Sequence, residues 1–299
     1  MVTGTAIHQS KSGDKSAERK AVLVSLLGQG IQLSRTPAMH EAEGAALGLN
    51  YQYRLFDTAE MSPDLDISEL LRSAEICGFA GLNVTYPYKV TVIEYLDELS
   101  DAARALGAVN TVVFRNGRRT GHNTDWWGFA ESFRRSMADV KCDTVLQLGA
   151  GGAGAAVAYA LAGQGVGTLR IFDREPEKAQ ALERRVNAGA SSPVARAVNS
   201  LEAGLEGDVD GIVNTTPVGM ASLPGSPLPA EFIKPSMWVA DIIYFPLETE
   251  LLHTARQKGC RVLPGSGMAV FQAVRAFEHF TGLVPDISRM EEAFKAFGS

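Results

Sequence analysis

Cysteine is scarce and scattered: only Cys77, Cys142 and Cys260 occur among 299 residues. Three cysteines so far apart support neither a disulfide framework nor a metal-ligand cluster, and they fit a reducing cytoplasm. Positive charge is in short supply too. The 28 Lys and Arg are outnumbered by 34 Asp and Glu, for a net charge of −6. Such a balance gives no electrostatic reason to bind nucleic acid or an anionic membrane. No apolar run approaches the ~20 residues of a membrane-spanning helix. The polar stretch of residues 1–20 lacks the apolar core of a signal peptide and is expected to be a disordered lead-in. No internal repeat stands out. What the chain does have is apolar bulk, 45% of its residues, ample for one large domain or, preferably, two ordinary ones.

Ala21–Leu27 is a continuous apolar run, as for a strand buried on both faces, and it ends at Gly28. Thr36 and Pro37 follow as N-cap and first residue of a helix predicted to about Leu47. The Ser34 and Thr36 hydroxyls beside that helix terminus suit a small anion such as a carboxylate; the alternative is a cap and a turn. Further on, Tyr51–Phe56 alternates like a strand, Ser62-Pro63 opens a helix to about Ser73, and Phe79–Val84 reads as another strand. The segment Asn83-Val84-Thr85-Tyr86-Pro87-Tyr88-Lys89 then carries two hydrogen-bonding side chains and a lysine into a predicted helix running to about Leu99. A lone lysine there is most simply a surface residue. Asp101–Leu106 is a short helix ended by Gly107, and Ala108–Phe114 a strand containing Asn110. A buried Asn110 either ties down a loop or faces a polar ligand. A turn at Gly117 and a helix from about Trp126 follow, with Asp125 at the seam, where it either caps that helix or faces a cleft.

The second unit is announced by Thr144–Leu148, a strand, followed at once by Gly149-Ala150-Gly151-Gly152-Ala153-Gly154 and an Ala-rich helix to about Gly163. Glycines in this strand–turn–helix pattern permit a tight turn, close approach of a pyrophosphate and close helix–strand packing. The strand Thr168–Phe172 ends in Asp173, where a carboxylate accepts from ribose hydroxyls and repels a 2′-phosphate. NAD is therefore expected over NADP, although Arg174 and Lys178 stand near enough to pair with such a phosphate. After a helix over about Pro176–Ala188, strands are expected at Asp210–Val213, Trp238–Ile243 and Cys260–Leu263, with a helix at Leu251–Lys258. The polar loop Asn214–Met220 lies at a strand's C-terminal edge, and Ser222–Pro229 reads as a lid-like loop. Two closing helices run from Met268 to about Phe280 and from Asp286 to Phe297. In the first, Phe271, Val274 and Phe277 form an apolar stripe with Gln272 beside it.

Together these stretches resemble the shikimate/quinate dehydrogenase family from about Ala21 to Phe297. The matching segments are Ser34–Pro37, Asn83–Lys89, Gly107–Thr111, Asn123–Asp125, Gly149–Gly154, Asn214–Met220 and Gly265–Met268 with Gln272. The resemblance implies an α/β protein with an N-terminal mixed-sheet α/β substrate domain over 21–122 and a C-terminal Rossmann-type nucleotide-binding domain over 123–263. The helices of 264–299 would return to the substrate domain, and the cleft between domains would hold the active site. It implies reversible NAD(P)-dependent oxidation of a ring hydroxyl of quinate or shikimate, with Lys89 and Asp125 as the catalytic pair. Ser34 and Thr36 would hold the carboxylate of the cyclohexane or cyclohexene substrate, and Asn83, Thr85, Asn110, Tyr244 and Gln272 would complete its pocket. Gly149, Gly151, Gly152, Ala153, Gly154, Asp173, Arg174, Thr215, Thr216, Pro217, Gly265 and Met268 would contact the cofactor. No metal is implied, and a monomer or homodimer is expected.

Two positions depart from the common shikimate pattern: Leu33 replaces a His, and Thr36 replaces a Ser, as in members that accept quinate. With Asp173 this favours NAD-linked quinate/shikimate breakdown. The competing readings are an NADP-linked biosynthetic enzyme, a dehydrogenase of an amino-substituted ring acid, and a catalytically idle nucleotide-binding regulator. The last predicts loss of Lys89, Asp125 or the glycine turn, and all are present.

Overall fold

The computed structural model describes residues 20–61, 65–188 and 192–296. Residues 1–19 of the expected lead-in, the Ser62-Pro63 helix start and Phe297 lie outside the described residues. The chain opens with β1 (Ala21–Gly28), α1 (Thr36–Ala46), β2 (Asn50–Asp57), α2 (Ile67–Ile76), β3 (Gly81–Val84), β4 (Glu98–Leu99), α3 (Asp101–Leu106), β5 (Thr111–Arg115) and β6 (Arg118–His122). Its six strands form a mixed sheet in the order β2-β1-β3-β5-β6-β4, with β1 parallel to β2 and β3, and β5 antiparallel to β3 and β6.

Helix α4 (Asp125–Ser136) leads to the second sheet. There follow β7 (Thr144–Leu148), α5 (Gly152–Gly163), β8 (Thr168–Phe172), α6 (Pro176–Ala188), β9 (Ala195–Val198), α7 (Leu201–Gly204), β10 (Gly211–Asn214), β11 (Trp238–Asp241), α8 (Glu250–Gln257) and β12 (Arg261–Leu263). These six strands are all parallel, in the order β12-β11-β10-β7-β8-β9. The order reverses between β7 and β10, and the crevice of a doubly wound sheet opens at such a point.

Helix α9 (Ser266–Thr281) joins the two sheets through its successive faces. Met268 packs with Phe129 and Phe133 of α4, while Phe277 and Phe280 enter the core of Val22, Val24 and Tyr51 under the first sheet. Helix α10 (Ile287–Ala296) packs Met290 and Phe294 against Met39 of α1 and Val274 of α9. The stripe at Phe271, Val274 and Phe277 is buried core.

The predicted helix from Lys89 to Leu99 does not form. Residues Thr91–Tyr95 make a 3-10 turn, and Glu98–Leu99 pairs with β6. The cause is competition for one carbonyl: Lys89 O accepts from Val109 N at 2.7 Å, so Ile93 N turns to Val90 O at 3.2 Å. An α-helix needs that i to i+4 bond. Local pattern lost to a long-range strand contact. Three smaller differences stand beside it. Helix α2 starts at Ile67, capped by Asp66, which accepts from Ser68 N at 2.7 Å. Arg35 rather than Thr36 holds the N-cap position of α1. Strand β9 and helix α7 went unpredicted.

Candidate active site

The first lip of the crevice is built at the end of β3. Beyond it, Thr85 N donates to Leu27 O at 2.9 Å, and the Tyr86–Pro87 peptide is cis. Residues 86–90 form a turn that aims Lys89 at α4. Lys89 Nζ donates to Asp125 Oδ2 at 2.6 Å, with side-chain exposures of 26% and 6%. One partner is therefore half-open to the crevice and the other is sunk in protein. Asp125 opens α4 without capping it.

The residues before Asp125 are held from both sides. Asn123 donates to Ala108 O at 3.0 Å and accepts from Asp125 N at 3.1 Å. Asn110 Oδ1 accepts from Thr124 N at 2.7 Å, and Asn110 Nδ2 donates to Thr124 Oγ1 at 3.0 Å. Of the two readings open for Asn110, the one that ties down a loop is the observed bonding. Asn83 is similarly engaged: its amide donates to Thr111 Oγ1 and Asn110 O at 3.0 and 3.3 Å and accepts from Tyr53 at 2.8 Å. Among the described residues, one acceptor lone pair on Asn83 and one N–H on Asn110 stay uncommitted.

Ser34 and Thr36 flank the start of α1, where Ser34 Oγ accepts from Thr36 N at 3.4 Å. Arg35 between them is buried: its guanidinium lies 4.8 Å over the Phe294 ring and donates to Phe294 O at 3.0 Å. The same ring meets Tyr244 edge-on at 6.0 Å. Desolvation pushes the Tyr244 phenol above its ordinary pKa; the Lys89 cation opposes that, Asp125 adds to it and Arg35 opposes it. Tyr244 as a residue keeps 40% exposure, although its phenol oxygen is the desolvated end. Gln272 projects from α9 where that helix crosses α4 closely: a Cβ on Gly128 would stand 2.8 Å from Gln272 N. Its amide makes no side-chain hydrogen bond among the described residues. Ser34, Thr36, Lys89, Asp125, Tyr244 and Gln272 thus come from five separate stretches of chain.

The second lip is a cleft of about 410 Å³ lined by Gly149, Gly151, Asp173, Arg174, Thr215, Thr216 and Pro217, with Ser226 and Pro227 of the predicted lid loop. The glycines differ in backbone geometry and in the space around them. Gly149 has φ +100, open to glycine alone. A Cβ on Gly154 would sit 2.6 Å from Gly149 O and 2.9 Å from Thr215 Oγ1, so that position is one of close packing. A Cβ on Gly151 or Gly152 would meet nothing within 4 Å. Open space at the start of α5, with the N–H groups of Gly152 and Ala153 in its first turn, fits a pyrophosphate. Asp173 accepts from Ala150 N at 2.7 Å and Glu175 N at 2.9 Å through different oxygens, which leaves one lone pair on each for a ribose hydroxyl. Thr215 turns its hydroxyl inward to Leu148 O and Gly149 O, at 2.8 and 2.9 Å. Gly265 and Met268 stand at the start of α9, outside this lining.

Three residues that shape the site escaped the sequence reading. Asp57, at the end of β2, accepts from Gly30 N, Ile31 N and Ala59 N at 2.7, 2.9 and 3.1 Å and so fixes the loop that leads to Ser34. Desolvation pushes its pKa up, but these bonds outweigh it and hold the carboxyl below its usual range. Asp241, at the end of β11, accepts from Asn214 Nδ2 at 3.1 Å, Ile243 N at 3.0 Å and Thr249 Oγ1 at 2.8 Å. Burial raises its pKa from 3.8 to about 6. Gln147, inside β7, is wholly buried. The available signal was the same in each case: a polar residue within or closing an apolar strand.

A mixed sheet whose edge carries an ion-paired lysine and aspartate, joined to a parallel sheet with a glycine turn and its cleft, defines a two-sheet oxidoreductase of the dinucleotide-binding class. Comparison with known proteins narrows that class. Residues 26–112 match the model of the shikimate dehydrogenase substrate binding domain, and residues 265–293 that of the shikimate 5'-dehydrogenase C-terminal domain. A shikimate dehydrogenase (NADP(+)) of Streptomyces avermitilis is 52% identical over 90% of this chain and 93% of its own length. A quinate/shikimate dehydrogenase (NAD(+)) of Corynebacterium efficiens is 47% identical over 92% of this chain and 98% of its own. The solved quinate dehydrogenase of Corynebacterium glutamicum in complex with NAD superposes with a TM-score of 0.89 at 46% identity, covering 93% of this chain and all (100%) of that one. The chain belongs to the shikimate/quinate dehydrogenase family.

Proposed function

We propose that this chain reversibly oxidises a ring hydroxyl of quinate or shikimate to the 3-dehydro ketone, with NAD preferred. The supporting observation is the Lys89–Asp125 contact of 2.6 Å, in a chain whose second sheet carries the glycine-turn cleft. A bound nicotinamide nucleotide supplies the hydride acceptor. Lys89, the more exposed partner, takes the hydroxyl proton in its neutral amine form as the C–H bond breaks and, as the ammonium, returns it in the reverse direction. Asp125 orients the lysine and balances its charge. Ser34 and Thr36 anchor the ring carboxylate at the start of α1, where helix N–H groups favour an anion. Thr85, Tyr244 and Gln272 border the ring, while Asn83 and Asn110 contribute their uncommitted acceptor and donor. Gly149–Gly154, Asp173, Arg174 and the Thr215–Pro217 loop receive the nucleotide, with Gly265 and Met268 at its nicotinamide end. We assign the substrate domain to 21–122, the nucleotide domain to 123–263 and the returning helices to 264–299. A cytoplasmic setting accords with three unpaired cysteines.

The preference for NAD rests on Asp173, whose remaining lone pairs suit ribose hydroxyls and whose charge opposes a 2′-phosphate. One observation favours the other cofactor: Arg174 and Lys178 line the same cleft. Steady-state rates with quinate and with shikimate, each with NAD and with NADP, decide between them. Turnover of both acids with NAD is expected; activity confined to shikimate with NADP would overturn the proposal.

A further inference from the structure

Gln147 is an anomaly in the second sheet. It sits in the central strand β7, 0% exposed, with no protein partner for its Oε1 among the described residues and its Nε2 engaged twice. A fully buried amide in a strand core costs stability relative to an apolar side chain of its size. Its presence calls for a cause other than packing.

The cause lies in what its donor touches. Gln147 Nε2 donates to Gly149 O and Gly154 O, both at 2.9 Å, so it bridges the glycine turn and the first turn of α5. Both neighbours are carbonyls, which settles the amide orientation: the nitrogen must face them. Gly149 O also accepts from Thr215 Oγ1 at 2.9 Å. With that carbonyl pulled inward from two sides, the planar trans peptide must turn its N–H the opposite way. Ala150 N indeed points out to Asp173 Oδ2 at 2.7 Å. The Gly149 carbonyl is thereby held away from the open space at Gly151 and Gly152, and the Gly151 carbonyl is committed to Ala155 N at 2.9 Å.

We infer that Gln147 is a positioning residue for nucleotide phosphate: its amide ties the Gly149 carbonyl inward and to the first turn of α5, so that this carbonyl is kept away from the pyrophosphate. The inference rests on the dinucleotide reading of the cleft. It concerns phosphate and not the adenosine half, which meets Asp173 and Arg174.

The test measures binding to the full chain by calorimetry, with ADP-ribose and adenosine as probes, in wild type, Gln147→Leu and Gln147→Met. The expected result is about tenfold weaker ADP-ribose binding in both variants, the scale of one hydrogen bond. Adenosine affinity should not change, and the melting temperature should hold or rise because a buried polar amide is replaced by an apolar side chain of similar size. Gln147→Glu, which turns an acceptor toward the two carbonyls, should weaken ADP-ribose binding further. Unchanged ADP-ribose affinity in Gln147→Leu and Gln147→Met would overturn the inference alone. Equal losses for both probes, or a collapse of melting temperature, would assign Gln147 a merely structural role and also overturn it. A wild-type chain that binds no ADP-ribose would defeat the dinucleotide reading and this inference with it.

Discussion

Asn110 and Thr124 are joined by hydrogen bonds in both directions, 2.7 Å from Thr124 N to Asn110 Oδ1 and 3.0 Å from Asn110 Nδ2 to Thr124 Oγ1. The residue ahead of β5 thus grips the residue ahead of Asp125. Asn110→Leu strands a buried N–H, at an expected cost of about 1–3 kcal/mol by urea denaturation. It should also lower kcat more than it raises KM, because Asp125 loses its anchor. Asn110→Asp keeps the acceptor for Thr124 N and should recover part of both losses; failure to do so would count against the anchoring role.

Lys89 is the proposed base, and its removal should act on chemistry. Lys89→Met is expected to lower kcat by about 10²–10⁴-fold, with KM for the ring acid little changed. Normal turnover in a variant that still binds the acid would exclude Lys89 from proton transfer.

Asp241 links the Asn214 loop to the segment bearing Tyr244, and its pKa of about 6 sets a direction for the pH dependence of stability. The folded value exceeds the unfolded one, so the folded state favours the protonated form. Its contribution therefore falls as pH rises from about 4 to 6 and stays constant above that. A rise from 3.8 to about 6 corresponds to at most ~3 kcal/mol. Melting of wild type and Asp241→Asn across this range should show the wild type losing ground to the variant as pH rises, then running parallel. Parallel curves throughout would remove Asp241 as the cause.

Gly128 lets α4 and α9 cross closely enough to bring Asp125 and Gln272 to one crevice. A Cβ there would stand 2.7 Å from Met268 O and 2.8 Å from Gln272 N, backbone atoms that move only with their helix. Gly128→Ala should cost about 1–3 kcal/mol and raise KM for the ring acid as Gln272 is displaced. An unchanged KM would mean that the helix spacing does not bear on the site.

Sequence alone determined what depends on neighbours in the chain. The glycine turn between strand and helix was legible because only glycine adopts φ +100 at Gly149, and helix α6 was read to its observed ends, Pro176–Ala188. Lys89 and Asp125 were named through the company of motifs around them, yet their contact joins positions 36 residues apart and exists only in three dimensions. Tertiary structure decided wherever a local preference met a distant competitor for the same polar group. Val109 N claimed the Lys89 carbonyl and ended a helix that the amphipathic pattern favoured. Thr124 claimed the Asn110 amide, and two carbonyls across the glycine turn claimed Gln147. Periodicity records which face of an element is buried; it does not record which partner a buried polar group finds, because folding chooses that partner from the whole chain.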